Sequence, residues 1–405
     1  MTPIDSLNCE SCPTGRLADR LAEVAAGAGV ALITSGTAQA GATLAFALDA
    51  RDLSPQGYRL DITATGSPSA SRVSIAIAAP DEPGAYYALV SLGQLIARTN
   101  TGLAIRQASI NDGPAFRRRG VILDMPLPAS TAGRATLLER IRLGAAYKMN
   151  LVWPANAALD DSIMAREVVD YCNAHYIEVM NAIGYQNLLT TMPRDDLTRL
   201  IRSYYDRGVR SFSFNWDDIR QSSDPVALAN SHAAVLDDIV RFLATLDDEV
   251  NLRVTLPPYG GVPGRNLMGV ELHTASNGTG EAYLAAIRTR IPSAAEVFWT
   301  GDGGVYSAQV TADGARAYSD AAGHPVALWD NDAGHYGRDR LPLRGRAADL
   351  PSVVQTYMGN MTGAPTWTAE SGQLALLTLL DYTWNAAAYE PDDAARRAGL
   401  RLRRA

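Results

Sequence analysis

From Arg117 onward the chain alternates short apolar runs with stretches of helical spacing, and it does so eight times. The apolar runs are Arg119 to Asp124, Asn150 to Pro154, Tyr176 to Asn181, Ser211 to Asp218, Leu252 to Leu256, Glu296 to Thr300, Pro325 to Trp329 and Val353 to Tyr357. Between them, apolar residues recur at helical spacing over 134–148, 160–174, 194–207, 226–246, 281–289 and 311–321, and a further such stretch covers 370–387. Strand and helix repeated in this way predict a parallel sheet closed into a (β/α)8 TIM barrel, in the α/β class, and not an open doubly wound sheet. Residues 332–352 fit neither period and are expected to be irregular. No Gly-x-Gly-x-x-Gly follows any of the strands, which excludes dinucleotide binding as a serious rival.

The first 113 residues follow another pattern. Residues 16–28 have helical spacing, Thr43 to Leu48 reads as a strand, and Tyr58 to Ala64 and Arg72 to Ala78 alternate with period two. A second helix is predicted over Gly84 to Arg98, with Tyr86, Leu89, Leu92 and Leu95 on one face. This is a small α+β domain, and the polar connection Ile110 to Phe116 separates it from the barrel. The expected organisation is thus 1–113 for the small domain, 114–395 for the barrel and 396–405 for a basic tail.

Composition narrows the function classes. With 47% hydrophobic and 20% charged residues among 405, the chain has material for a sizeable core. A net charge of -7 provides no basic field for nucleic acid or an anionic membrane surface. No signal-peptide pattern opens the chain and no run approaches ~20 uninterrupted apolar residues, so the expectation is a cytoplasmic protein. The three cysteines fit that expectation, Cys9 and Cys12 being read as surface thiols. The five histidines never approach ligand spacing, so neither a metal nor any other cofactor is expected.

Chemistry is expected where the strands end. The run Ser211 to Ile219 alternates apolar and aromatic residues and then carries two adjacent carboxylates, Asp217 and Asp218. In a barrel, the C-terminal ends of the strands form the face on which active sites lie. The same pair could instead cap the helix that starts near Val226. Other strand ends carry Asp124, Asn156, Tyr259, Trp299, Trp329, Asn331 and Asn360. Carboxylates, asparagines and aromatic residues, with no Ser-His-Asp set and no cysteine nucleophile, describe a sugar site better than an acyl-transfer site.

The succession Arg119-Gly-Val-Ile, Phe214-Asn-Trp-Asp-Asp-Ile, Val297-Phe-Trp-Thr-Gly, Leu328-Trp-Asp-Asn-Asp, Met358-Gly-Asn and Trp384-Asn-Ala-Ala-Ala-Tyr-Glu-Pro resembles glycoside hydrolase family 84, which includes O-GlcNAcase and bacterial hexosaminidases. The likeness spans about residues 110 to 395, and the small domain resembles the one that precedes the barrel in families 84 and 20. It implies retaining hydrolysis of an N-acetylglucosaminide in which the substrate's acetamide attacks the anomeric carbon and forms an oxazoline. Asp217 would then orient the acetamide, and Asp218 would serve as general acid and base. Tyr259 would bond the acetamide oxygen, Trp329 would wall the methyl pocket, and Asn331 and Asn360 would hold sugar or acetamide oxygens.

The departures fall on the other half of the sugar. Family members carry Glu-Gly-Phe-Tyr-Gly after the first barrel strand, where this chain has Leu123-Asp-Met-Pro-Leu-Pro. A lysine after the second strand is replaced by Pro154-Ala-Asn156, and an aspartate after the seventh by His335 before Tyr336. Such changes alter substrate choice more than reaction type. The partner expected is therefore a small-molecule glycoside carrying a 2-acetamido sugar, in an intracellular conjugate. Two alternatives stand beside hydrolysis: a biosynthetic transferase, cyclase or eliminase using the same acetamido site, and a silent sugar-binding homologue. The oligomeric state is not readable from the sequence.

Overall fold

The structure, a computed structural model, describes residues 1–34, 42–66, 72–100, 102–123, 131–154, 162–247, 249–333, 342–362 and 370–402. The chain divides into two compact units, one of Met1–Pro114 with Ala174–Tyr176, the other of Ala115–Asn173 with Ile177–Ala405.

The first unit contains strands β1 (Thr2–Pro3), β2 (Ser6–Cys9), β3 (Ala31–Ile33), β4 (Ala42–Ala47), β5 (Tyr58–Thr65), β6 (Arg72–Ala78), β7 (Ile96–Thr99), β8 (Gly102–Ile105) and β9 (Ala108–Asp112). Six of them form a mixed sheet in the order β3-β2-β4-β6-β5-β9, and β1, β8 and β7 form a second, smaller one. Alternation is the reason: in β6, Val73, Ile75 and Ile77 are buried while the residues between them are exposed or half-buried. Helix Glu82–Leu95 starts on Asp81, whose carboxylate accepts from the Gly84 backbone N–H at 2.8 Å. It stops three residues sooner than its spacing predicts, because Ile96 to Arg98 pair with β8. Cys9 and Cys12 are joined in a disulfide, which corrects the reading of two surface thiols. The expectation of a cytoplasmic location loses the support it took from them. Among the described residues no helix is long and apolar enough to cross a membrane.

In the second unit eight parallel strands close a barrel: β10 (Arg118–Leu123), β11 (Leu151–Pro154), β12 (Glu178–Ile183), β13 (Ser211–Asn215), β14 (Asn251–Thr255), β15 (Glu296–Trp299), β16 (Val326–Asp330) and β17 (Thr356–Asn360). Each expected strand is present, but β17 lies three residues further on. Val353 and Val354 look like strand residues, yet they form the exit of the turn Leu350–Ser352. Gly359 sits within β17 because a Cβ there would come within 2.3 Å of Leu379. Residues 396–402, read as a tail, continue helix Pro391–Leu402.

Strand alternation sorts the barrel residues into two sets. Val121, Val179, Phe212, Phe214, Val254, Val297, Leu328 and Tyr357 pack outward into the main core with the surrounding helices. Residues of the opposite parity fill the interior in layers. At the strand starts lie Arg118, Glu178, Ser211, Arg253, Glu296 and Thr356, hydrogen-bonded to one another. Above them Ile122, Leu151, Met180, Phe298, Ala327 and Met358 form a separate apolar cluster, with Trp153 and Trp329 packed against it. The barrel is therefore plugged from below, and only its C-terminal end is left for chemistry.

Candidate active site

Asp217 and Asp218 arise at the end of β13. Trp216 continues the ladder, its N–H donating to Thr255 O at 2.8 Å, and its indole packs outward, stacked on His232 with ring centroids 4.9 Å apart. Alternation then carries Asp217 to the barrel side. At Asp218 the backbone turns left-handed, with φ of +53°, a conformation that Asp tolerates better than most residues, and the strand cannot continue. Neither acid caps the following helix: that task falls to Asp224, which accepts from Val226 N and Ala227 N at 3.0 and 2.9 Å. The capping reading of the pair is thereby excluded.

The two carboxylates sit in different surroundings. Asp217 Oδ1 is inaccessible and has no hydrogen-bond partner among the described residues. Burial, and then the negative charge of Asp218, push its carboxyl up to about 7. Asp218 Oδ1 accepts from the Tyr259 hydroxyl at 2.6 Å and lies 3.3 Å from His273 Nε2. Its Oδ2 lies 3.5 Å from the Tyr185 hydroxyl. Tyr259 is itself buried, and burial together with the Asp218 bond pushes its hydroxyl far above the ordinary tyrosine range, so it is a fixed donor. Below about pH 7 the Asp217 carboxyl therefore holds its proton in the empty site.

The remaining sequence-predicted residues divide three ways. Trp329 faces the barrel interior, half-buried, edge-on to Trp153 and to Phe298 at centroid distances of 5.2 and 5.6 Å. Asn360 Nδ2 donates to Asn331 Oδ1 at 2.8 Å, and Asn331 Nδ2 donates to Val305 O at 2.8 Å. Each amide group has two N–H donors, so this pair is oriented with one N–H on each side chain uncommitted among the described residues. Trp299, in contrast, is not at the site. Its parity points it outward, where it is fully buried, stacks on Tyr318 and donates from Nε1 to Gly261 O at 2.8 Å. Asp124, Asn156 and His335 lie outside the described residues.

Sequence reading missed Tyr185 and His273. Tyr185 follows Gly184, two residues past the end of β12 and four past Asn181, at which the strand is expected to end. His273 stands at the tip of a turn between Met268 and Ala275, and only the fold brings it to Asp218. Asp330, which shares the β16 end with Trp329, is occupied: the Arg346 guanidinium clamps both its oxygens and the Tyr357 hydroxyl donates to it. Among the described residues no group of three or more histidines, cysteines or acids could hold a metal.

The closed barrel and the small domain that precedes it in the chain have the fold of hexosaminidase-type glycosidases. The family model described as beta-N-acetylglucosaminidase matches residues 159–403, and the chain belongs to that family. The model for domain 2 of glycosyl hydrolase family 20 matches residues 6–113. Among solved structures, CpGH84B is similar at 21% identity over 98% of this chain and 71% of its own, with a TM-score of 0.75. CpGH84D gives 16% identity over 98% of this chain and 68% of its own, with a TM-score of 0.73. A mutant form of the O-GlcNAc hydrolase of Thermobaculum terrenum gives 21% identity over 71% of this chain and 63% of its own, with a TM-score of 0.57. These likenesses place the barrel and the preceding small domain within a family 84-like fold.

Proposed function

We propose that this chain hydrolyses a 2-acetamido-2-deoxy glycoside, an N-acetylglucosaminide or close analogue, with retention at the anomeric carbon and with the substrate's acetamide as nucleophile. The observation that carries this reading is the contrast within the acid pair. Asp217 offers a buried oxygen that lacks a donor among the described residues, and an acetamide N–H is a donor of the right kind. No enzyme nucleophile is needed beside it.

In the first step the acetamide oxygen bonds to the anomeric carbon as the bond to the leaving oxygen breaks, and that oxygen takes a proton from Asp218. The positive charge of the resulting oxazolinium lies on its N–H, against the Asp217 carboxylate. In the second step water attacks the anomeric carbon, Asp218 takes the water's proton, and the acetamide is restored. Asp217 must be ionised for this and Asp218 protonated, yet burial keeps the proton of the empty pair near Asp217. The bound N–H would hydrogen-bond the ionised form of Asp217 and favour it over the protonated form. Substrate binding thus frees a proton beside the acid that needs one. Tyr259 commits its one proton to Asp218 Oδ1 at 2.6 Å and so fixes the orientation of that carboxyl group.

The test is a series of aryl glycosides in which the acetamide methyl carries none, one, two or three fluorines. If the acetamide is the nucleophile, kcat/KM falls with each fluorine, and Asp218→Asn loses about 10²–10⁴-fold on substrates with poor leaving groups. A flat response to fluorine in an active enzyme would sink the oxazoline route.

A further inference from the structure

The proposed chemistry sets the sugar ring against the acid pair but says nothing of what is attached to it, and the two oxygens of Asp218 bear on that question. Oδ1 is closed in by Tyr259 and His273. Oδ2 has the Tyr185 hydroxyl at 3.5 Å and no other recorded partner among the described residues. A general acid delivers its proton through an oxygen that the leaving group can approach to about 3 Å. That oxygen is Oδ2, so the leaving group must arrive beside Tyr185.

Tyr185 is suited to receive it. The residue is 46% exposed, and Leu188, three residues on, is 50% exposed. Scattered exposed apolar side chains need no explanation, but an exposed ring whose hydroxyl lies against the acid does. The segment is held in place: Gly184 and Gln186 on either side have φ of +105° and +53°, and Gln186 N–H donates to Asp217 O at 3.0 Å. A Cβ at Gly184 would come within 2.5 Å of Leu189, so the approach to Tyr185 depends on that glycine.

His273 is held as firmly on the Oδ1 side. Its own φ is +52°, Gly269 N–H donates to Thr274 O at 3.0 Å to close its turn, and Leu272 N–H donates to Ile219 O, immediately after the acid pair. Ser222 N–H donates to Glu271 Oε1 at 3.2 Å, a second tie to the same segment. The imidazole remains half-exposed, 51% by side chain.

We propose that Tyr185 and His273 frame the leaving-group subsite and that it takes an aglycone presenting a flat apolar face, either an aryl group or the CH face of a second sugar ring, laid on the Tyr185 ring. This rests on the functional reading above, and binding measurements separate the two. The probes are S-linked 2-acetamido-2-deoxy-β-glucosides with methyl, phenyl or a second pyranose as aglycone, titrated into the full chain and into Tyr185→Ala, His273→Ala and Tyr185→Phe. Wild type is expected to bind the phenyl and disaccharide probes more tightly than the methyl one. Tyr185→Ala is expected to weaken binding of at least one of those two by about five- to tenfold and to leave the methyl probe unchanged. His273→Ala follows in the same sense, and Tyr185→Phe retains the affinity because it retains the ring. A loss confined to phenyl or to the disaccharide supports the subsite and identifies which source it serves. Equal losses on all three probes in a variant whose thermal unfolding matches wild type, or none on any, overturn it. If wild type binds none of them, the acetamido-sugar reading itself fails and takes the subsite with it.

Discussion

Both ends of the barrel hold buried carboxylates, and they are treated in opposite ways. At the N-terminal end Glu178 and Glu296 are bound by Arg253, with Nη1 to Glu178 Oε1 at 3.0 Å and Nε to Glu296 Oε2 at 2.9 Å. Arg118 adds a bond to Glu178 at 2.8 Å, and the Thr356 hydroxyl lies 2.7 Å from Glu296 Oε1. Burial alone would raise the Glu178 carboxyl, but Arg253 and Arg118 outweigh it and hold it below the usual range. At the C-terminal end Asp217 has, among the described residues, no cation and one oxygen with no donor, and it is pushed up to about 7. A buried acid that is paired specifies the fold, whereas a buried acid left wanting marks where a ligand completes the set. Asp330 shows that position alone is not the criterion: it lies at the same end as Asp217, but Arg346 and Tyr357 have already satisfied it.

The largest effect expected from this contrast is at the satisfied end. Arg253→Met leaves Glu178 and Glu296 in the barrel with Arg118 as the one cation to share among the described residues, its nearest approach to Glu296 being 3.9 Å. Stripping the partner from a buried ion pair costs about 3–5 kcal/mol, read as a lower urea midpoint. The sign of its pH dependence is fixed. In wild type the lowered pKa of Glu178 contributes stability that is present above the unfolded-state value near 4 and lost as pH falls through the folded value. The variant lacks that contribution, so its deficit should be constant from pH 8 down to about 5 and shrink as pH falls below about 4 toward the folded value. A loss under 1 kcal/mol at pH 8 would mean that the network is dispensable and the contrast between the ends is accidental.

The barrel was legible because eight strand-helix alternations have few other solutions, and the acid pair because a buried alternating strand does not normally finish in two carboxylates. What the sequence could not carry was parity. Trp299 and Trp329 each end an apolar run, and only the register of the closed sheet sends one outward to Tyr318 and the other inward to Trp153. Long-range partners were equally hidden. Arg346, which neutralises Asp330, comes from the irregular 332–352 segment, and His273 reaches Asp218 across 55 positions of chain (273 − 218) by way of a turn with no periodic signature. The CxxC was visible, but whether its two thiols face one another depends on local geometry that spacing leaves open.

A smaller effect of opposite sign is expected at the unsatisfied end. Asp217 binds its proton more tightly folded, near pH 7, than unfolded, near 4, so stability falls as pH rises through that window and the penalty is complete above it. Asp217→Asn removes the ionisation. Thermal unfolding should show the variant more stable than wild type at pH 8, by on the order of 2 kcal/mol, and about equal to it below pH 4, while activity is lost. An Asn variant that is less stable than wild type at pH 8 would show that the lone carboxylate is satisfied in the folded protein after all.

The smallest effect tests whether an unmet polar group must belong to the site. Asn181, in the middle of β12, is fully buried, and neither its Oδ1 nor its Nδ2 has a hydrogen-bond partner among the described residues. Its parity with Val179 and Ile183 places it on the outer face of the strand, away from the interior that holds the acids. If the unmet groups at the C-terminal end are there for a ligand, this one has no such purpose and only costs stability. Asn181→Leu, with the same branched shape and without polar atoms, should then leave kcat/KM unchanged and raise stability by about 1 kcal/mol. A fall in activity with unchanged stability would instead extend the functional region through β12 to the outer layer, and the division of the barrel into a structural end and a chemical end would have to be redrawn.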